Sequence, residues 1–366
     1  MADTTVATGL TVQQWDDKFF TEYLTENRFS AAMGTDENSI IQVKEDLAKK
    51  KGDRVHFSLV NKLTNDATTG SNTLEGNEEK MDTRSFPVQV DKRRNGVRVA
   101  EIDEQYSAIQ LRDAARTVLK DWSMKDTEGL ITKALASING VAYGSATENQ
   151  KDAWLVDNAD RVLFGAARAN NSGNDHSASL ANLDTTNDLC SPAALELMKL
   201  IATTFANPKI RPVRSTAMKD GRRYFTVYAH PLAFYNLSRN DELKEAQENV
   251  MLEMENNRLF EGGDLLWKGM IIKEIPDMYD TLTLTGVGNG GATVAPVFLC
   301  GAQAVGAAYA KRWKSAEQEF DYGDKKGVAI ESIYGIDKMK FGTGDADTDD
   351  LKDHGVVTGY FAVTGA

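Results

Sequence analysis

"NKLTNDATTGSNTLEGNEEKMDTRS", residues 61–85, lies between two segments that alternate as strands do, yet it offers almost nothing to bury. Its only apolar side chains are Leu63, Ala67, Leu74 and Met81. Before it, "RVHFSLV" sets Val55, Phe57 and Leu59 on one face; after it, "FPVQV" does the same with Phe86, Val88 and Val90. Hairpin connections run to ~2–5 residues, and structureless loops beyond roughly 12–15 residues are functional or disordered as a rule. The pattern predicts a β-hairpin with a long polar tip that has a task. The Asn95-Gly96 pair in "DKRRNGVR" is a turn signal. The expectation is therefore a projecting two-stranded arm over residues 53–102, marginal in water without a surface to pack on.

Upstream, "QQWDDKFFTEYLTENRF" brings Trp15, Phe19, Phe20 and Tyr23 to helical spacing. So many aromatics near a terminus require a surface, in the same chain or another. Downstream of Asp103 the period changes. "DEQYSAIQLRDAARTVLKDW" sets Leu111, Ala115, Val118 and Trp122 on one stripe, and "TEGLITKALASI" extends it. One helix from about residue 108 to 138 would be ~45 Å long, a spine whose weakest point is Gly129. Residues 140–190, rich in Ala, Asn, Asp, Ser and Gly, are expected to be mostly loop. Ser191 and Pro192 open a helix by capping logic. "RRYFTVYAHP" is a buried strand halted by Pro231, with helix after it. "LLWKGMIIKEI", "PVFLCGAQAVGAAYA" and "GVAIESIYGIDKMKF" read as strands, the second with some helical character. Helices and strands mix without a βαβ alternation, so the fold class is α+β.

The chain has 366 residues, 41% of them hydrophobic, and 42 basic side chains against 54 acidic ones, a formal net charge of −12. That is enough for a substantial core, and the acidity disfavours a surface whose main task is to grip phosphates. Cys190 and Cys300 lie far apart without CxxC spacing, which predicts buried reduced thiols and no disulfide framework. "MADTTVATGLTVQQW" shows neither the basic nor the apolar region of a secretory signal, and no apolar run approaches the ~20 residues of a membrane span. The expectation is a soluble chain made in a reducing compartment.

Motifs for chemistry are weak. "GVGNGG", residues 286–291, has G-x-G-x-x-G spacing, but a strand-like segment follows where a dinucleotide site needs a helix, so a glycine-rich turn is the reading. "DADTDDLKDHG" places Asp345, Asp347 and Asp349 as a calcium loop would, but Asp350 replaces the required glycine and Val356 the bidentate glutamate, which leaves a solvated acidic loop. His56, His176, His230 and His354 show no metal-ligand spacing; only His230 has an apolar setting, fitting a packed structural histidine. No catalytic, cofactor-binding or metal residue emerges, and no cofactor is expected.

A terminal arm, a long projection, a spine and then an α/β lobe, in that order, resemble the major capsid protein of tailed bacteriophages, whose fold is shared with encapsulin shells and the herpesvirus capsid floor. The likeness rests on "QLRDAARTVLKDW" ahead of a lobe with three marks. These are "YFTVYAHPLAFYNLSRNDELKEAQEN"; "NRLFEGGDLLWKGMIIKEIPDM"; and "PVFLCGAQAVGAAYAKRW" followed by "EFDYGDKKGVAIESIYGIDKMKF". It covers most of residues 40–340 and is most distinctive at residues 301–303. The resemblance implies an N-terminal arm (1–52), an extended loop (53–102), a peripheral domain with the spine (103–139), an axial domain (140–315), and peripheral return strands with the C-terminal segment (316–366). It implies assembly with itself into hexamers and pentamers of an icosahedral shell, formed in the host bacterial cytoplasm, that encloses double-stranded DNA without sequence-specific binding. Scaffolding, portal and decoration proteins are the further partners it implies, with no membrane.

Candidate inter-subunit contacts are then Trp15, Phe19 and Phe20 on the arm, Asp82 and Arg84 where the loop returns, and Lys92, Arg93 and Arg94 beyond it. For the three basic residues the plain alternative is a charged strand edge. Lys62 and Lys80 lie where some relatives carry a cross-linking lysine, but no partner can be assigned and no cross-link is predicted. With about 50 residues ahead of the arm, no large fused scaffold is expected. Two alternatives stand beside this reading: an encapsulin-like compartment housing a cargo enzyme, and an enzyme with a cleft near His230.

Overall fold

The structure, a computed structural model, describes residues 27–48, 52–63, 65–107, 109–214, 223–245, 264–344 and 346–365. The aromatic segment with Trp15, Phe19 and Phe20 lies outside them. In chain order come β1 (Met33–Gly34), β2 (Ile41–Lys44), β3 (Arg54–Val60), β4 (Thr83–Gln89) and β5 (Asp91–Ala100). Next are α1 (Glu101–Tyr106), α2 (Leu111–Ala136), α3 (Glu148–Asn158), β6 (Val162–Phe164), α4 (His176–Ala181) and α5 (Pro192–Leu200). Then follow β7 (Val213–Arg214), β8 (Arg223–Ala229), α6 (Pro231–Ser238), β9 (Leu265–Trp267), β10 (Met270–Glu274) and α7 (Met278–Leu282). The chain closes with β11 (Thr293–Cys300), β12 (Val305–Phe320), β13 (Lys325–Lys338), β14 (Lys340–Gly342), β15 (Leu351–Asp353) and β16 (Val356–Val363). Helices and strands mix as the α+β class requires.

The described chain divides into two compact units, one holding residues 92–127 and 311–333, the other residues 28–91, 128–310 and 334–366. In the larger unit a seven-stranded mixed sheet runs β6-β16-β11-β8-β10-β9, with β7 beside β8. Strand alternation sorts its side chains onto two faces. Ala295, Val297 and Leu299 of β11 and Val357, Phe361 and Val363 of β16 pack with α5 and α6 residues such as Leu195, Met198 and Leu237. Val294 of β11 and Tyr360 and Ala362 of β16 face the other way, onto Trp154 and Leu155 of α3 and Leu180 of α4. α5 starts as expected, with the Ser191 hydroxyl accepting from the Ala194 N–H and Pro192 at the first helical position.

Two expectations need correction, at Val118 and at Asn95-Gly96. The expected spine is α2, one unbroken helix from Leu111 to Ala136, and the short α1 ahead of it ends at Ser107, which is extended with ψ 135°. α2 passes through Gly129 without a break, where a side chain would approach the Asp277 carboxylate at 3.5 Å. On the stripe Ala115 is buried as expected, but Val118 is 54% exposed and Leu119 is buried in its place. Residues 140–190 are mostly loop as expected, interrupted by β6 and by two helices: Thr147 and Gln150 close a capping box at the start of α3, and Asp175 caps α4. Finally, Asn95-Gly96 makes no turn; β5 runs straight through it. In the smaller unit β5 lies beside β13, and a Cβ at Gly96 would stand 3.1 Å from that of Ala329, so this glycine serves close strand approach.

Candidate functional site: the hairpin loop and its anchorage

β3 and β4 pair from Arg54 opposite Gln89 to Val60 opposite Thr83, and the Asn61 N–H still reaches the Asp82 carbonyl at 2.9 Å. The inward side chains Val55, Phe57, Phe86 and Val88 are buried against Ala308, Met339 and Phe341 of the same chain. The expected need for a packing surface is thus met at the hairpin base without a partner. Gly335 is required close by, because a Cβ there would lie 1.8 Å from the Gln89 carbonyl oxygen.

Beyond the base none of the described residues is buried. Among the described residues no strand forms between Asn61 and Asp82, and Val60, Leu63, Leu74 and Met81 are 57–62% exposed. The loop is shaped by short-range bonds: Asn65 N–H to Glu79 Oε2 (2.9 Å), Gly76 N–H to Glu78 Oε2 (2.7 Å) and Asn77 N–H to the Leu74 carbonyl (2.9 Å). Gly70 and Gly76 take left-handed conformations there.

The candidate contacts fare differently. Arg84 is largely buried and donates to Asp82 Oδ2 (3.1 Å) and to the Gly344 carbonyl (2.7 Å), with Asp347 3.8 Å away. Ser85 Oγ donates to Asp347 Oδ2 at 2.9 Å. Arg84 therefore fastens the loop's return to Gly344 and Asp347. In the smaller unit Lys92 pairs with Glu331 at 2.9 Å, and Arg93 grips Asp126 through Nε (2.6 Å) and a terminal nitrogen (2.5 Å). Lys311 also pairs with Glu331, and the two ammonium groups hold that carboxyl down at about 2. Arg94 is exposed. Lys92, Arg93 and Arg84 are thus already engaged within their own chain.

The residues considered for chemistry are structural. His230 is fully buried; its Nδ1 accepts the Leu232 N–H at 3.2 Å, capping α6, and its Nε2 bonds Thr283 Oγ1 at 2.9 Å. Burial pushes it down to about 4, so the ring is neutral at pH 7. The 286–291 turn is followed by β11 and presents no helix to a pyrophosphate. In the acidic segment Asp345 lies outside the described residues, while Asp347 serves Ser85 and Asp349 Oδ2 accepts the Ala346 N–H at 3.3 Å. Both cysteines are unpaired and buried, and burial alone pushes the Cys190 thiol up to about 12.

Two buried polar features were not legible beforehand. Asp353, on β15, accepts from Lys338 Nζ (2.7 Å) and Trp154 Nε1 (3.2 Å) through the same oxygen, and the Lys338 and Asp353 side chains are each 2% exposed. Its backbone N–H reaches Asn158 Oδ1 at 2.9 Å, its carbonyl accepts from Arg161, and Asn158 Nδ2 donates to the Leu351 carbonyl at 3.1 Å. This network binds the β14–β15 hairpin to α3. The second feature is Glu128 on α2, fully buried, with Oε2 lacking a hydrogen-bond partner among the described residues. Burial, helped by nearby Asp277 and opposed by Arg28, raises it from 4.5 to about 7. The folded state then binds this proton more tightly than the unfolded one, so stability falls as pH rises from 4.5 through about 7. Glu128→Gln is expected to exceed the parent by roughly 2–3 kcal/mol at pH 8. That advantage should vanish by pH 4, as urea denaturation at the two pH values would show.

A family model described as phage capsid protein matches residues 3–364. The major capsid protein of Pseudomonas phage KPP25 is 26% identical over 361 residues, 95% of this chain and 94% of that one. Among solved structures, the capsid of cyanophage Pam1 aligns with TM-score 0.86 and 30% identity over all of both chains. The capsid of Ralstonia phage GP4 aligns with TM-score 0.78 over 100% of this chain and 99% of the other; at 23% identity that likeness speaks to the fold. These relatives are phage capsids, which does not favour a cargo compartment. A match across nearly the whole chain, on a fold whose buried histidine and glycine turn serve structure, leads to one conclusion: the chain belongs to the phage capsid protein family, as a major capsid protein of the virion shell and not an enzyme.

Proposed function

We propose that copies of this chain form the hexamers and pentamers of an icosahedral shell around double-stranded DNA, with the 61–82 loop laid over an adjacent copy. The supporting observation is the contrast within one hairpin: a base buried by its own chain and a tip that leaves Leu63, Leu74 and Met81 in water. A second copy covering these side chains removes apolar surface from water at ~25 cal/mol per Å². Each contact is modest, and symmetry repeats it. The N-terminal arm (1–52), with Trp15, Phe19 and Phe20, is proposed to lie along a neighbour in the same way. Asp82 and Arg94 complete the candidate contacts, whereas Arg84 acts first by anchoring the loop's return, and Lys92 and Arg93 by their ion pairs within the smaller unit. Segments 103–139 and 316–366 are proposed as peripheral domain, 140–315 as axial domain and 53–102 as extended loop.

A net charge of −12 suits a container that holds DNA without gripping it. Scaffolding, portal and decoration proteins are proposed as further partners. Electron microscopy of the purified chain, alone and with a scaffolding partner, tests this. Closed shells are expected, and a strictly monomeric species under every assembly condition would refute it.

A further inference from the structure

We propose a divalent-cation site between the first turns of α3 and the start of α4, formed by Glu148, Asp152 and Asp175 with the ring of His176. The three carboxylates each offer an oxygen, and those oxygens lie within 4.8 Å of one another. Acidic clusters at helix starts are common, and part of this one is plainly structural. The Asp175 Oδ1 accepts from the Ala178 N–H and Ser177 Oγ, the Asp152 Oδ1 accepts from the His176 N–H, and Lys151 lies 3.6 Å from Glu148 Oε2.

The independent observation is His176. Its residue is fully buried, and both ring nitrogens lack a hydrogen-bond partner among the described residues. Nδ1 lies 3.8 Å from Glu148 Oε1, so the ring meets the cluster at that carboxylate. The rest of the ring is enclosed by Tyr143, Phe164 and Tyr360, with centroids 5.3–5.8 Å away. Buried polar atoms nearly always have a partner, so an orphaned imidazole at the rim of three carboxylates needs a reason. A cation supplies it: the ring's lone pair gains an acceptor of electrons, and three mutually repelling anions gain a counter-charge. Neutral imidazole is the form that ligates.

One imidazole with carboxylates suits a first-row ion such as Zn²⁺ better than Ca²⁺ or Mg²⁺, which prefer oxygen throughout. Lys151 is the competing charge, and it already rests over the Tyr143 ring at 4.6 Å, a seat it keeps when the ion takes Glu148. Spacing along the chain does not reveal the site, because His176 follows Asp152 by 24 positions.

The test is isothermal titration calorimetry of the chelator-treated full chain with ZnCl₂, and separately with CaCl₂, with parallel thermal melts. One Zn²⁺ per chain is expected, binding at least 10-fold more tightly than Ca²⁺ and raising the melting temperature. Glu148→Gln, an exposed position whose change leaves the core untouched, and Asp152→Asn are each expected to weaken Zn²⁺ binding at least 10-fold. His176→Gln, checked by circular dichroism for native fold, should do the same. Absence of stoichiometric binding, equal binding by parent and Glu148→Gln (an adventitious ion only), or Ca²⁺ preferred over Zn²⁺ would each overturn the proposal.

Discussion

Asp353→Ala is expected to lower stability by about 3–5 kcal/mol, the usual cost of removing one partner of a buried ion pair. Lys338 has 2% side-chain exposure and would keep its ammonium away from water with its carboxylate gone. Trp154 Nε1, also buried, would lose its acceptor. The contact of Lys338 with the Trp154 ring at 5.3 Å does not replace a full counter-charge. Asp353→Asn keeps the shape and one acceptor but not the charge, so most of the loss should remain. Lys338→Met combined with Asp353→Asn removes the stranded charge and should recover at least half of it. Urea unfolding of the unassembled chain measures all three. A loss below about 1 kcal/mol for Asp353→Ala would mean that the network does not hold the β14–β15 hairpin onto α3. The effect should spread to the loop's root, since Arg84 is bonded to Gly344, in the segment between those two strands.

Replacing residues 63–80 by a short Gly-Ser link is expected to leave the isolated chain folded and to abolish shell formation. The excised stretch buries no large apolar side chain, and the hairpin base is held by Val55, Phe57, Phe86 and Val88 against Met339 and Phe341. Shortening a loop changes closure entropy by only about 0.6 kcal/mol per halving, in the stabilising direction. The melting temperature of the unassembled chain should therefore stay within a few degrees of the parent, roughly what 1 kcal/mol yields for a chain of this size. Assembly is another matter, because in the proposed shell the loop's contact is repeated in every subunit and its loss is multiplied by the symmetry. Leu63→Ser with Leu74→Ser and Met81→Ser should reproduce much of the defect without changing loop length. Shells at parental yield, seen by sedimentation and microscopy, would remove the loop from any part in assembly.

Much of the fold was legible because local pattern and final environment agree. The alternation in "RVHFSLV" and "FPVQV" is the alternation seen in the hairpin, down to the burial of Val55, Phe57, Phe86 and Val88. Ser191 and Pro192 open α5, and His230 ends a strand and starts a helix, because capping satisfies backbone groups within a few residues. Where reading failed, a weak local signal met a stronger long-range one. Asn95-Gly96 is a turn in isolation but part of a strand here, because β13 supplies a partner along its length. Thr147 and Gln150 spelled a capping box that a small-residue composition obscured.

The amino-acid order alone determined the α+β class, the hairpin with its water-exposed tip, the cysteines' lack of a framework, and the succession of segments that resembles phage capsid proteins. Those features depend on periodicity and on turn and cap chemistry, which act over a handful of residues. Only the tertiary structure decided that the hairpin base is buried by its own chain, that Arg84, Lys92 and Arg93 have intrachain partners, and that Lys338, Asp353 and Trp154 meet. Trp154 and Asp353 are 199 positions apart, and no short-range pattern encodes which buried donor will find which acceptor across such a distance. That choice is made when the sheet closes and water leaves, since polar groups then must pair with whatever the packing has brought beside them.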